Sequence, residues 1–251
     1  MDASILLYIA VGFLAQMIDG AIGMAYGVSS NAFLLTVGLP PSIASACVHC
    51  AEVFTTGVSG ISHFRFGNID KRLFSKLVIP GVLGGALGAY ILSLEAIGKI
   101  IRPFVSAYLV VMGIVILWKV FRKSTKEKEV TRHLIPLAAI GGFFDAVGGG
   151  GWGPIVTTTV IARGHSPRLT IGSVNATEFF VTLAEAVTFV ITIPALLTQH
   201  WQVMAGLIVG GVIAAPLAAL ACKRLPARAL MAFVGVLIVV LSARTIVLSL
   251  V

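Results

Sequence analysis

Charge is scarce in this chain. Asp, Glu, Lys and Arg make up 11% of its 251 residues, against about 25% in a soluble domain, and the mean hydropathy is +1.02. That composition excludes a pair of soluble domains and indicates an integral membrane protein. Acids are rarer than bases, 10 against 18, which leaves a net charge of +8. The bases fall in short loops between apolar runs, where they set membrane orientation, so no nucleic-acid partner is expected. Three cysteines, an odd number, build no disulfide framework. No G-x-x-x-x-G-K-[ST] occurs, which excludes P-loop nucleotide hydrolysis. Met1-Asp2-Ala3-Ser4 lacks the basic start of a cleaved signal peptide, so the first apolar run is expected to stay. No cofactor, no structural metal and no enzymatic activity are expected.

What is present is a repeat. Gly38-Leu39-Pro40-Pro41, Val48-His49-Cys50-Ala51-Glu52 and Thr56 recur as Gly164-His165-Ser166-Pro167, Val174-Asn175-Ala176-Thr177-Glu178 and Thr182, at an offset of 126. The same offset aligns Gly84-Gly85 with Gly210-Gly211. Upstream, Gly12-Phe13, Gly20 and Gly23 align with Gly142-Phe143, Gly150 and Gly153 at an offset of 130. A duplicated membrane unit is the usual plan of a secondary transporter, because a site between two related halves can face either side in turn.

The apolar runs are 4–36, 42–64, 76–94, 101–118, 134–162, 169–198, 203–222 and 228–250. A span takes about 20 residues, so most runs are one helix each. The runs 4–36 and 134–162 are too long for one span and carry polar or glycine-rich centres: Asp19-Gly20 with Gly23, and Asp145 with Gly148-Gly149-Gly150-Gly151-Trp152-Gly153-Pro154. Consecutive glycines specify a helix poorly, and Pro154 suits the first turn of a new one. Both runs are expected to be helix, tip, helix. If each turns back as a hairpin, the halves are inverted, and only Lys99, Arg102 and Arg244 of the 18 basic residues lie outside. The positive-inside rule favours that arrangement. The expected fold is an all-α integral membrane protein of two inverted repeats, each a broken first helix followed by three transmembrane helices, with 8–10 membrane segments in all. The repeats are 1–120 and 134–251. The polar linker 121–133 is expected to be cytoplasmic, with both termini outside the cell (inner) membrane. Besides membrane lipid and a small anionic solute, homo-oligomers are left open as partners.

Five acids fall inside apolar runs: Asp19, Glu52, Asp145, Glu178 and Glu185. Each charged group at bilayer depth costs about 2.5–3.5 kcal/mol on insertion scales, which makes it a functional candidate. Ser45, His49, Glu52, Thr56, Ser59 and His63 are spaced along one helix face. Asn175, Glu178, Thr182 and Glu185 form the matching stripe in the other half. Two polar stripes in equivalent positions indicate a shared aqueous path. The glycine-rich tips supply unpaired N–H groups at a positive helix end, a place for an anion. The candidate substrate-binding residues are therefore Asp19, Gly20, Gly23, Ser45, His49, Asp145, Gly149, Gly150, Gly151, Trp152, Gly153 and Asn175. Glu52, Glu178 and Glu185 are the candidate proton carriers. Gly81, Gly84, Gly85, Gly88, Gly206, Gly210 and Gly211 are read as close helix packing. Cys47-Val48-His49-Cys50 does not gather its side chains on one face of a helix.

Three other readings exist. Asp19, His49, Glu52, Asp145, Glu178 and Glu185 could carry a divalent cation. Gly57-Val58-Ser59-Gly60 matches the short G-x-S-G of intramembrane serine proteases, but no A-H-x-x-G partner accompanies it. An uncoupled channel is the third.

The chain resembles the TauE/SafE family of sulfite and organosulfonate permeases. The resemblance lies in Gly12-Phe13-Leu14-Ala15-Gln16-Met17-Ile18-Asp19-Gly20-Ala21-Ile22-Gly23, in Gly141-Gly142-Phe143-Phe144-Asp145-Ala146-Val147-Gly148-Gly149-Gly150-Gly151-Trp152-Gly153-Pro154, and in the leads Gly38 to Ser45 and Gly164 to Pro167. It covers nearly the whole chain. The first tip departs from the family's glycine-rich pattern at Ile18-Asp19-Gly20-Ala21. The resemblance implies sulfur oxyanions or organosulfonates as the substrate class.

Overall fold

The computed structural model describes residues 3–22, 24–94, 101–121, 133–221 and 227–250, which are helical with no strand among them. In chain order, α1 is Ala3–Ile22, α2 Tyr26–Thr36, α3 Pro41–Arg65, α4 Lys71–Ser93 and α5 Arg102–Phe121. Then α6 is Leu134–Gly148, and α7 is a π-helical turn, Gly153–Thr157, running into Thr158–Ala162. Finally α8 is Pro167–Thr192, α9 the single turn Leu196–Gln199, α10 Trp201–Ala221 and α11 Ala227–Leu250. Lys71–Ser93 and Arg168–Thr192 are long and apolar enough to cross a membrane. Several others, among them Ile5–Asp19 and Pro103–Trp118, are shorter apolar helices. The outer face carries large apolar side chains such as Phe64, Ile79, Phe104 and Phe121, as a lipid-facing surface does.

Both long runs break where the residue chemistry predicts. The first leaves the helix after Ile22 and resumes at Tyr26, with Ala25 in the left-handed region at φ 101°. The second turns on Gly149 and Gly150, at φ 66° and 136°. A side chain at Gly150 would overlap the backbone of Gly27 and Val28, so glycine here permits both the turn and the contact between the two tips. The leads into α3 and α8 share one geometry. Gly38 and Gly164 both have φ 100°, and Pro41 and Pro167 begin the helices, where a missing N–H is harmless. At the start of α4, Asp70 accepts from the Arg72 and Leu73 N–H groups at 2.8 and 3.2 Å. Partial burial pushes its carboxyl upward, but those N–H groups and His165, 3.2 Å away, hold it below the ordinary carboxylate range.

The halves are interleaved. The first helix of each packs along a later helix of the other: α1 on α10, and α6 on α4. Glycine makes these contacts close. A Cβ at Gly210 would overlap the Ile9 carbonyl, and one at Gly84 the Ala139 carbonyl, the same contact in both halves. Gly81, Gly85, Gly88, Gly206 and Gly211 are similarly crowded. Gly84→Ala and Gly210→Ala should each destabilise the protein by about 1–3 kcal/mol, since helix backbone cannot yield to the added methyl. Gly57→Ala, whose Cβ would lie 3.4 Å from the Phe179 ring, should leave thermal unfolding in detergent nearly unchanged; equal losses at all three positions would refute the packing argument.

The equivalent helices α3 and α8 run antiparallel. His49 meets Glu185 (2.9 Å), Thr56 meets Thr182 (3.5 Å) and His63 meets Asn175 (3.5 Å). Numbers rise along one helix as they fall along the other. The crossing centres on Thr56 and Thr182, residues 126 apart in the chain. The same holds for α5 and α11, where a Cβ at Gly113 would lie 2.7 Å from Val239 and one at Gly235 would lie 2.6 Å from Leu117.

Candidate functional site

The centre of the molecule is built around Asp145, in the last turn of α6. Its carbonyl accepts the Gly150 N–H at 2.9 Å. Its Oδ1 accepts the Gly151 and Trp152 N–H groups at 2.5 and 2.8 Å. Those are the unpaired donors that a helix start presents, and a carboxylate is the group they favour. In the first half Asp19 Oδ1 accepts the Tyr26 N–H at 3.3 Å. Both caps span seven residues, so here the repeat follows the 126 offset rather than 130. Asn31 Nδ2 donates to the Gly148 carbonyl at 2.5 Å, and Tyr108 Oη donates to that of Gly150 at 3.4 Å. Trp152, fully buried, donates from Nε1 to the Val174 carbonyl at 3.2 Å. The tip is therefore held from α2, α5 and α8 together.

Beside it lies a buried ionisable cluster on α3, α6 and α8. His49 Nδ1 donates to the Ser45 carbonyl at 2.8 Å, since a carbonyl can only accept. Nε2 is then directed at Glu185 Oε2 (2.9 Å), Asp145 Oδ2 (3.7 Å) and Glu52 Oε2 (3.9 Å). None of the four residues is more than 5% exposed. Ser45 Oγ donates to the Ala146 carbonyl at 2.5 Å, tying α3 to α6. Gly85 on α4 leaves the room that the Glu185 carboxyl fills. Ligand atoms of His49, Asp145 and Glu185 lie within 4.8 Å of one another, close enough to share a cation.

The expected site residues are distributed unevenly. Ser45, His49, Glu52, Asp145 and Glu185 come together, with Gly149, Gly150, Gly151 and Trp152 beside them and Gly153 opening α7. Asp19 caps the first tip and Gly20 lies in α1; Gly23 is outside the described residues. The tip's N–H groups at Gly151 and Trp152 already hold Asp145, rather than standing open. His49 and Asn175 do not share a site. Each lies seven residues from the centre of an antiparallel crossing, so they stand about 20 Å apart along it, at 1.5 Å per residue. Asn175 instead faces His63. Glu178 is half-buried and, like Glu52 on α3, lies four residues before the centre of the crossing on its own helix. Asn31 and Tyr108 were not legible as site residues. For Asn31 the signal existed, an amide inside an apolar run; for Tyr108 nothing in the sequence marks it.

The model of the sulfite exporter TauE/SafE family matches residues 8–245. The chain belongs to the TauE/SafE family. It is 39% identical over 250 residues to "Probable membrane transporter protein YtnM" of Bacillus subtilis (strain 168), across 97% of this chain and 83% of that protein. No solved structure matches it. As a TauE/SafE protein it is a membrane transporter; its intramembrane His49, Glu52, Asp145 and Glu185 are buried, while large apolar side chains such as Phe64, Ile79 and Phe104 lie exposed on its outer face. The glycine-rich second tip, on which the resemblance rested, is the segment that Asp145 closes.

Proposed function

We propose that this TauE/SafE protein is a secondary transporter of a small anion, sulfite or a related sulfur oxyanion or organosulfonate, coupled to protons. The observation that carries the reading is the pair of N–H groups, Gly151 and Trp152, converging on one carboxylate oxygen at the interrupted helix. A site that suits the Asp145 carboxylate suits another oxyanion. The solute competes with Asp145 for those donors, and the released carboxylate pairs with His49 Nε2. The name of the family supports the substrate class. Fixed carboxylates repel an anion unless neutralised, and an unpaired buried charge costs several kcal/mol. Glu52, Glu185 and, across the crossing, Glu178 therefore take up protons as the anion enters.

Antiparallel crossings centred on equivalent residues support two inverted halves, 1–120 and 134–251, with tips that meet midway. Alternating access is then rocking of one half against the other. The distribution of basic residues supports a cytoplasmic linker at 121–133 and outward termini.

Proteoliposome flux tests the reading. Sulfite or sulfoacetate flux should rise with an imposed proton gradient. Glu185→Gln should cut it by about 100-fold or more, the range of a lost proton-transfer group, and flatten its pH profile; Glu178→Gln should flatten the profile too. Full rate with an unchanged profile in both variants would end the proton assignment. A second reading, divalent-cation transport, is favoured by the closeness of His49, Asp145 and Glu185. Thermal stabilisation by Mn²⁺ or Zn²⁺ with none by sulfite would select it.

A further inference from the structure

Two grooves open on the outer surface along the α3–α8 crossing. One, of about 720 Å³, has an aromatic wall of Phe64, Phe74, Phe179 and Phe180, with Arg65 and Lys71 at its end. The rings of Phe74 and Phe180, and of Phe179 and Phe180, meet edge to face at 5.9 and 5.2 Å. The other groove, of about 530 Å³, is lined by Val53, Phe54, Leu183, Val190, Ile191 and Leu197 among others. They are one groove built twice. At the 126 offset, Phe180 corresponds to Phe54, Phe179 to Val53, Gly57 to Leu183 and Phe64 to Val190. The chemical difference is at the end, where Arg65 and Lys71 correspond to Ile191 and Leu197. The fold thus supplies an uncharged copy of the same surface.

We propose that the basic groove is a binding site for an anionic phospholipid, its phosphate on Arg65 and Lys71 and an acyl chain along the phenylalanine wall. Both basic side chains are exposed and form no ion pair with a described residue. Their stems lie on apolar surface while the charged ends reach the headgroup level, the usual posture of Lys and Arg at a membrane boundary. A free anion matches the two charges but leaves the wall bare. A zwitterionic lipid matches the wall but brings its own cation to the charges. The groove lies against Gly57 and Gly60, where α3 touches Phe179 and Ala176 of α8, so a bound lipid braces the crossing that carries the central site.

Native mass spectrometry of the full chain in detergent tests this, with dioleoyl phosphatidylglycerol and dioleoyl phosphatidylcholine titrated separately. Phosphatidylglycerol should bind about 30-fold more tightly, the sum of about 1 kcal/mol for each basic residue. R65I/K71L, which copies the uncharged groove, should bind the two lipids alike. R65K/K71R should keep the preference. Should the double apolar variant fail to fold, R65I and K71L singly should each lose about fivefold. Equal affinity for both lipids in the wild type, a preference that survives loss of the charges, displacement of phosphatidylglycerol by inorganic phosphate alone, or a dimer whose formation excludes the lipid would each overturn the assignment. Transport is not the readout, so failure here leaves the anion reading standing.

Discussion

Asp145→Ala is expected to destabilise the protein by about 3–5 kcal/mol, the range for removing one partner of a buried charged network. The change leaves the Gly151 and Trp152 N–H groups without their acceptor, at about 1–3 kcal/mol for each unsatisfied buried donor. It also removes the carboxylate that Nε2 of His49 faces at 3.7 Å. Asp145→Asn separates these contributions. Its amide oxygen still accepts both N–H groups, so the helix start survives while the negative charge is gone. The asparagine variant should recover most of the stability and fail in transport. Thermal unfolding in detergent, followed by a thiol dye reacting with the fully buried Cys47, provides the measurement. If alanine and asparagine unfold at the same temperature, the cap is not what holds the tip.

His49→Leu should be nearly as damaging, because Glu185, Asp145 and Glu52 then share a buried space with no basic group among them. Breaking such a buried network from one side costs about 3–5 kcal/mol, whereas replacing both partners with apolar groups is often neutral. Glu185 is the nearest partner, 2.9 Å from Nε2. His49→Leu/Glu185→Leu should therefore be more stable than His49→Leu alone, with a coupling of about 1–3 kcal/mol in the double-mutant cycle. Simple additivity of the two single losses would show that His49 and Glu185 do not act as a pair. Neither variant should transport, since the double variant restores packing and not chemistry.

Much of this architecture was readable beforehand. The length and apolarity of the runs require helices, because only hydrogen bonds within the segment satisfy a backbone in lipid. Asp19 with Gly23, and Asp145 with four glycines, announce the two breaks. The spacing of Ser45, His49, Glu52 and Thr56 puts them on one face of α3, and they are buried together. The family follows from the same motifs. The role of Asp145 did not follow. A carboxylate beside a glycine-rich tip can line a solute site or cap the next helix, and only the path of the turn at Gly149 and Gly150 decides which.

The partners across helices were the other gap. Sequence equivalence matches His49 with Asn175, and the sequence reading put both in one substrate site. The structure separates them. When two equivalent helices cross antiparallel, residues before the crossing on one lie against residues after it on the other, so His49 finds Glu185 and Asn175 finds His63. Composition and periodicity determined by themselves that this chain is a helical membrane protein with two interruptions and two polar stripes, because those are properties of each segment alone, and the repeat showed in the sequence as matching residues 126 apart. Which acids share the space around His49 was decided by tertiary packing, because helix direction and the close glycine contacts of α1 with α10 and α4 with α6 set the register, and no local pattern encodes it.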